Sequence, residues 1–395
     1  MVEKASNGVK TIAVIFGGRS AEHDVSIITA HIPIIQSLQA SGQFDVWPIY
    51  ISKNGKWYAD KAMNDFAFFK RPDFESILSR QKPVRLSFEN GLGISWPGVL
   101  SKSVRIDVVF PSMHGTYGED GSLMGLLRMA GVPFAGCDMF ASAVAMDKAF
   151  TKQVLFAEGI SVVPFCWFTR AQWETENVQI KKRIAELSWP VFVKPVHLGS
   201  SIGITKVKKE SELENAIEVA LHYDDKVLVE ESVEELTEVT LPIMGNDIVQ
   251  TAEVERPLNK AEFFDFKDKY LSGGKGGKSA DGALYKYSEI PADIGAEMTA
   301  SVKELGARVY RVLGCSGTAR VDFLIDNRSG RLYVNEVNTL PGTLYQHNWK
   351  KAGVSNMDLV LKLVALAEER FESQKNTTRA FNSDILSKIR GPKAQ

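Results

Sequence analysis

Cysteine is scarce in this sequence. Its 395 residues include only 3, Cys137, Cys166 and Cys315, an odd and scattered set without metal-binding spacing. That excludes a disulfide framework and suits reduced thiols, so a cytoplasmic protein is expected. A charge excess is missing too: 47 basic residues stand against 48 acidic ones, for a net charge of -1. Nothing in that balance favours nucleic acid or an anionic membrane, and neither is expected as a partner. Apolar runs are short, none near the ~20 residues that span a bilayer. The opening MVEKASNGVK is polar, with no signal-peptide core behind it. Solenoid repeats and long low-complexity tracts are absent as well. What remains has the length and ordinary composition of a soluble enzyme of two or three domains.

Residues 11–16, TIAVIF, form an apolar run that ends in Gly17-Gly18-Arg19-Ser20 and leads into AEHDVSIITAHIPIIQSL, apolar at helical spacing. Strand, glycine turn and helix open a doubly wound sheet, whose ligands gather at the carboxyl ends of strands. Glu22 stands where the turn enters the helix, so its carboxylate can face that crevice or simply favour the helix N-terminus. FDVWPIYISKNGKWY reads as strand, turn and strand, and RIDVVFPSMHG as another buried strand. The latter runs into HGTYGEDG, a glycine-rich loop that puts His114 and Glu119 on an exposed turn with a site role. Lys148 then lies near the start of a further helix.

A second unit begins near Val162. In SWPVFVKPVHLGSSIGITKV two strand-like segments flank His197-Leu198-Gly199-Ser200-Ser201. Glycine lets backbone N–H groups approach a phosphate, and two hydroxyls add donors. Lys194 supplies positive charge, although the lysine precedes the glycine and no GK[ST] follows, so this is not a P-loop. KESELENAIEVALHY is an amphipathic helix. KVLVEESV is a strand ending in Glu230 and Glu231, which could hold a nucleotide's ribose or base amine. FFDFKDKYLSGGKGGKSADGALYKYSEIP mixes aromatics with a Gly/Lys-rich tract, the composition of a mobile lid carrying Lys269 and Tyr270. A long amphipathic helix, ADIGAEMTASVKELGARVYRVLG, follows, and NMDLVLKLVALAEERF forms the last one, before a polar tail.

The most informative stretch is GTARVDFLIDNRSGRLYVNEVNTLPG, from Gly317 to Gly342. Two strand-like runs are separated by the turn sequence Asn327-Arg328-Ser329-Gly330, which reads as a β-hairpin. Glu336 and Asn338 are two apart and share a face, and Asp322 on the neighbouring strand can meet them. Two carboxylates and an amide oxygen suit Mg²⁺ or Mn²⁺. Arg320 shares the face of Asp322 and could hold an anion beside the metals. A solvated hairpin with acids facing water is the plain alternative.

FGGRSAEHDVS, HGTYGEDG, ASAVAMDK, FVKPVHLGSSIGI, DFKDKY, GTARVDF and NEVNTLPG occur in one order, and together the chain from about Thr11 to Arg370 resembles the D-alanine–D-alanine ligase family of ATP-grasp enzymes. The resemblance implies an α/β ATP-grasp fold of three α/β (α+β) domains, the first doubly wound. Its bounds would be 1–146 for the N-terminal domain, 147–235 for the central and 236–372 for the C-terminal ATP-grasp subdomain, with 373–395 a tail. It implies that ATP phosphorylates one D-alanine, whose acyl phosphate is attacked by the amine of a second, for peptidoglycan synthesis. The cofactor set would be ATP with two Mg²⁺ (or Mn²⁺) on Asp322, Glu336 and Asn338. Lys148 and Lys194 match phosphate lysines, and Glu230 and Glu238 match adenosine-binding acids. Arg320 and the backbone N–H of Gly342 look like oxyanion stabilisers. Glu22, Ser200 and Tyr270 match a hydrogen-bonded set that positions substrate and lid. Ser201 matches a contact to the second substrate's carboxylate, and His114 one near the first. A homodimer is implied as well.

Two departures bear on the acceptor. FDF, at Phe264 and Phe266, stands where YDY is usual, and Leu344-Tyr345-Gln346-His347 replaces a serine-bearing segment. The alternatives are a related ligase joining D-alanine to D-lactate, D-serine or another D-amino acid, and a nucleotide-binding regulatory module without turnover.

Overall fold

A computed structural model describes residues 8–89, 91–98, 102–258, 288–378 and 383. The first sheet runs in the order Trp57–Ala59, Phe44–Ile51, Lys10–Gly17, Val108–Pro111. Its last three strands are parallel, with Ile12 opposite both Val46 and Val108. Lys10–Gly17 is buried from Thr11 onward, as a parallel strand covered on both faces must be. The strand ends at Gly17, at φ 89°, where a Cβ would lie 2.2 Å from the Ile51 carbonyl oxygen, so only glycine permits this turn.

The helix after that turn is continuous from His23 to Ser41 but changes pitch at Ala30–Ile35, a π-helical segment containing Pro33. Proline has no N–H to offer the ladder and its ring crowds the preceding turn, so the pitch loosens there. RIDVVFPSMHG, expected as one strand, is divided into Ser103–Ile106 and Val108–Pro111. Asp107 makes the break, with its carboxylate accepting from the Thr11 N–H at 2.9 Å.

The central sheet is antiparallel, ordered Thr205–Val207, Val191–Pro195, Lys226–Glu231, Phe165–Thr169. Alternation sends Val191, Val193, Val227 and Val229 towards Ile180, Ile184 and Ile217 of the helices Arg170–Ala185 and Leu213–Tyr223. Lys194, Leu228 and Glu230 are thereby left on the opposite face, where Lys194 pairs with Leu228 in register.

The C-terminal sheet, Val249–Thr251, Leu236–Gly245, Gly317–Asp326, Leu332–Asn338, follows the same logic. Ala319, Val321, Phe323 and Ile325 pack with Leu241, Ile243, Val302 and Val309, the last two on the helix Ala296–Val312. Burying each such aliphatic side chain stabilises by roughly 1.5–3 kcal/mol. Arg320, Asp322 and Thr240 fall on the other face. Two sheets thus turn their apolar sides to helices and their charged sides inward.

The helix Asn356–Lys375, the last among the described residues, places Leu359, Leu363 and Val364 in the same core as Ile12 and Val14 of the first sheet and Leu38 of the helical segment Gln36–Ser41. It reaches past residue 372, where the tail was expected to begin. Among the described residues no helix is long and apolar enough to cross a membrane.

Candidate active site

The hairpin forms as its turn sequence implies. Asp322 is directly opposite Glu336, Arg320 opposite Asn338, and a bulge follows Asp322, where the register slips by one. Arg320 clasps Asp322 with Nε 2.8 Å from Oδ1 and Nη2 2.6 Å from Oδ2. The Thr240 hydroxyl donates to the same carboxylate. Glu336 Oε1 is 3.9 Å from Arg320, and the Tyr345 ring lies 4.9 Å from the guanidinium carbon. Burial works against the Arg320 charge, yet Asp322 first and then Tyr345 and Glu336 hold its pKa well above the ordinary value. Asn338 Oδ1 accepts from the Leu340 N–H at 3.0 Å, which fixes the amide with its oxygen towards the chain turn.

Three lysines converge beside this face. Lys148 begins the helix Lys148–Ala157, and its ammonium donates to the Leu198 carbonyl at 2.7 Å while lying 3.8 Å from Glu336 Oε2. Lys194 donates to Glu230 Oε1, and Lys152 sits 2.9 Å from Glu230 Oε2. Glu230 is almost fully buried. Burial would push its carboxyl up, but Lys152 and Lys194 reverse this and hold it at about 2. Lys194, opposed by burial and supported by Glu230, Glu336 and Glu238, is raised. Lys152 is lowered, because its desolvation outweighs Glu230.

A third group comes from the N-terminal domain. Glu22 immediately precedes the helix His23–Thr29, and Ser200, at φ 54°, donates its hydroxyl to Glu22 Oε1 across 178 residues of sequence. Gly115 stands against Glu22 as well: a Cβ there would come within 3.0 Å of Oε2. Ser201 is exposed on the same loop at φ 57°.

His114 is a correction. An exposed turn was expected, but the residue is only 4 % exposed, because its ring packs between Thr29 and Glu119. Nε2 lies 2.9 Å from Thr29 Oγ1 and Nδ1 3.4 Å from Glu119 Oε1. Thr29 also accepts from the Thr343 N–H at 3.1 Å, which ties His114 to the turn Gly342–Tyr345. Thr343, Leu344 and Tyr345 all have positive φ, between 49° and 56°. Three consecutive left-handed residues without glycine are costly, and such strain concentrates at functional sites.

Not every expected residue joins the cluster. Strand alternation turns Glu231 to the face opposite Glu230, where its carboxylate accepts from the Ser188 N–H at 2.8 Å. Glu238 is exposed on Leu236–Gly245, close enough to help hold the Lys194 charge. Lys269 and Tyr270 lie outside the described residues, as do Phe264, Phe266 and the Gly/Lys-rich tract. Three participants carried weaker signals. Lys152 is one turn after Lys148 on the same helix face, Thr240 is two after Glu238 on one strand face, and Thr29 is one turn after Ser26 in the helix that follows Glu22.

The donors on the hairpin are all oxygens from two carboxylates and one amide, which suits a hard divalent cation. With three lysines and an arginine around them, they favour a polyanionic ligand bound through such a cation.

Comparison with known proteins bears on the whole chain. The family description "D-ala D-ala ligase N-terminus" matches residues 11–137, and "D-ala D-ala ligase C-terminus" matches residues 154–365. A D-alanine–D-alanine ligase from Thermosipho melanesiensis is 36 % identical over 367 residues, covering 92 % of this chain and 95 % of that protein. Among solved structures, the D-alanine–D-alanine ligase of Coxiella burnetii aligns with a TM-score of 0.77 and 29 % identity, covering 93 % of this chain and 96 % of that one. A D-Ala:D-Ser ligase from Enterococcus faecalis aligns at 0.76 with 34 % identity, covering 91 % and 99 % respectively.

Proposed function

The chain belongs to the D-alanine–D-alanine ligase family, and on that premise we propose that it joins two D-alanines to D-alanyl-D-alanine for peptidoglycan precursor synthesis, with ATP converted to ADP and phosphate. A carboxylate oxygen of the first D-alanine bonds to the γ-phosphorus as the bond to ADP breaks. The amine of the second then attacks the acyl carbon, and the resulting oxyanion collapses with loss of phosphate.

This chain's own side chains divide the work. Glu22, tethered by Ser200, pairs with the first ammonium group, with His114 nearby behind Thr29. Lys148 and Lys194 hold phosphate oxygens, and Glu230 and Glu238 face the adenosine. Arg320 and the Gly342 N–H stabilise the oxyanion, while Ser201 meets the second carboxylate. Tyr270 would complete the hydrogen-bonded set with Glu22 and Ser200, and Lys269 would bind substrate, both outside the described residues. Glu231, whose carboxylate accepts from the Ser188 N–H, would meet the nucleotide through its backbone and not through that carboxylate. Asp322, Glu336 and Asn338 would hold two Mg²⁺ (or Mn²⁺), which neutralise phosphate charge and so lower repulsion against an incoming carboxylate.

The observation that carries this reading is the register of Asp322 against Glu336, with Lys148 on the facing helix reaching Glu336 at 3.8 Å. A cytoplasmic homodimer with three domains divided near residues 146 and 235 belongs to the same proposal, and sedimentation of the purified chain tests the dimer. The activity is tested by incubating the protein with ATP and D-alanine, alone and with D-serine or D-lactate. Phosphate release and dipeptide with D-alanine alone are expected. No phosphate without a second acceptor would overturn the reading in favour of a D-alanine:D-serine or D-alanine:D-lactate ligase.

A further inference from the structure

His197 lies at the root of the loop that carries Ser200 and Ser201, and both of its ring nitrogens face carboxylates. Nδ1 is 3.0 and 3.1 Å from the two oxygens of Asp224, and Nε2 is 3.3 Å from Asp147 Oδ2. Its backbone N–H donates to Asp224 Oδ2 at 2.7 Å. A neutral imidazole has one N–H, so one nitrogen would turn a lone pair towards an anion. Only the imidazolium satisfies both contacts.

Asp147 has a second task. Its Oδ1 accepts from the Phe150 N–H at 2.8 Å and so caps the helix Lys148–Ala157, whose first residue is Lys148. Lys148 in turn donates to Leu198, the residue after His197. His197, Asp147, the helix start, Lys148 and Leu198 therefore form a closed circuit around the loop root.

We propose that His197 is a positioning residue, a charged latch that fastens the Gly199–Ser201 loop to the cap of the Lys148 helix and keeps the loop hydroxyls in register with the lysine ammonium. The inference rests on the ligase reading for what the loop and lysine bind, but not for the latch itself. The groups facing the ring are Asp147 from the helix cap, Asp224 and Asp225 beyond the helix Leu213–Tyr223, and Lys226 from the strand Lys226–Glu231. Lys226 sits 2.7 Å from Asp147 Oδ2 between the rings of Phe150 and Trp167, so Asp147 is shared by two cations. The hydrogen bonds to Asp147 and Asp224 raise the imidazole from 6.5 to about 9, in line with the geometry. The latch is thus fully formed below 6.5 and is released as pH rises through about 9.

The test uses the full chain and His197→Gln, which keeps one donor but no charge. The ring of His197 should titrate by NMR near 9 in the ligand-free wild type; a midpoint at or below 6.5 overturns the latch. Amide hydrogen exchange over residues 197–204 should speed up in His197→Gln at pH 7.5, and unchanged exchange likewise overturns it. In kinetics, KM for ATP in the variant should exceed that of wild type on the order of tenfold at pH 7.5, with kcat less affected. That ratio should fall towards one at pH 10, when wild type loses its own charge. A ratio independent of pH would mean a merely structural histidine and would refute the proposal. Should the chain fail to ligate D-alanine at all, the ligase reading fails, while titration and exchange still decide the latch.

Discussion

Arg320 and Asp322, two residues apart on one strand, are joined by a two-pronged contact of 2.8 and 2.6 Å. The fork fixes the plane of the guanidinium, and Tyr345 covers its face. Lysine would keep the charge and lose both the plane and one prong. Arg320→Lys is therefore expected to lower kcat on the order of a hundredfold while KM for ATP changes little. Steady-state kinetics with ATP and D-alanine varied separately would read this, and a change confined to KM for ATP would count against an oxyanion role.

Asp322 and Glu336 should differ in stability although both are assigned to metal binding. Asp322 compensates a buried arginine, whereas Glu336 is about one-third exposed. Asp322→Asn is expected to destabilise the fold by about 2 kcal/mol, and Glu336→Gln by little. Both should reduce turnover by at least about a thousandfold. Urea unfolding beside activity assays checks the asymmetry; equal stability losses would mean that Arg320 does not depend on Asp322.

Glu230 holds two lysines, one of them buried. Glu230→Gln strands Lys152 and is expected to destabilise by about 3 kcal/mol, with much of this recovered in the double variant Lys152→Met, Glu230→Gln. Because the folded carboxyl lies at about 2 instead of 4.5, its contribution is present above 4.5 and is lost as pH falls through about 2. The stability difference between wild type and double variant should therefore be constant above 4.5 and change only below it; a difference that varies with pH near neutrality would contradict the pairing.

Ser200 links the N-terminal and central domains through Glu22. Ser200→Ala removes the tether and leaves the Glu22 carboxylate without that donor. KM for D-alanine is expected to rise about tenfold, with thermal stability nearly unchanged. Isothermal titration with D-alanine in the presence of a nonhydrolysable nucleotide gives the affinity directly, and an unaltered affinity would remove Ser200 from the site.

Chelation should stop turnover without unfolding. The hairpin is held by its ladder and by Arg320, neither of which needs a metal ion. Far-ultraviolet circular dichroism is expected to stay constant in EDTA, with activity restored by Mg²⁺ or Mn²⁺.

Local pattern made much of this molecule legible. The alternation of GTARVDFLID and RLYVNEVN around Asn327–Gly330 led directly to the hairpin and to Asp322 facing Glu336, because a period of two assigns each side chain to a face. The same rule, applied to adjacent residues, should have separated Glu230 from Glu231. His114 was harder: a loop rich in glycine looks exposed in sequence, and only its packing against Thr29 buries the ring.

By itself the sequence determined which strands alternate, where the turns fall and which oxygens and cations each face presents, since these depend on residues close together along the chain. The tertiary structure alone decided that Ser200 meets Glu22, that Lys152 and Lys194 share Glu230, that His197 lies between Asp147 and Asp224, and that the helix Asn356–Lys375 shares a core with the first strand. Those pairs are tens to hundreds of residues apart. Their proximity follows from how apolar faces are buried against one another, and no local propensity encodes it.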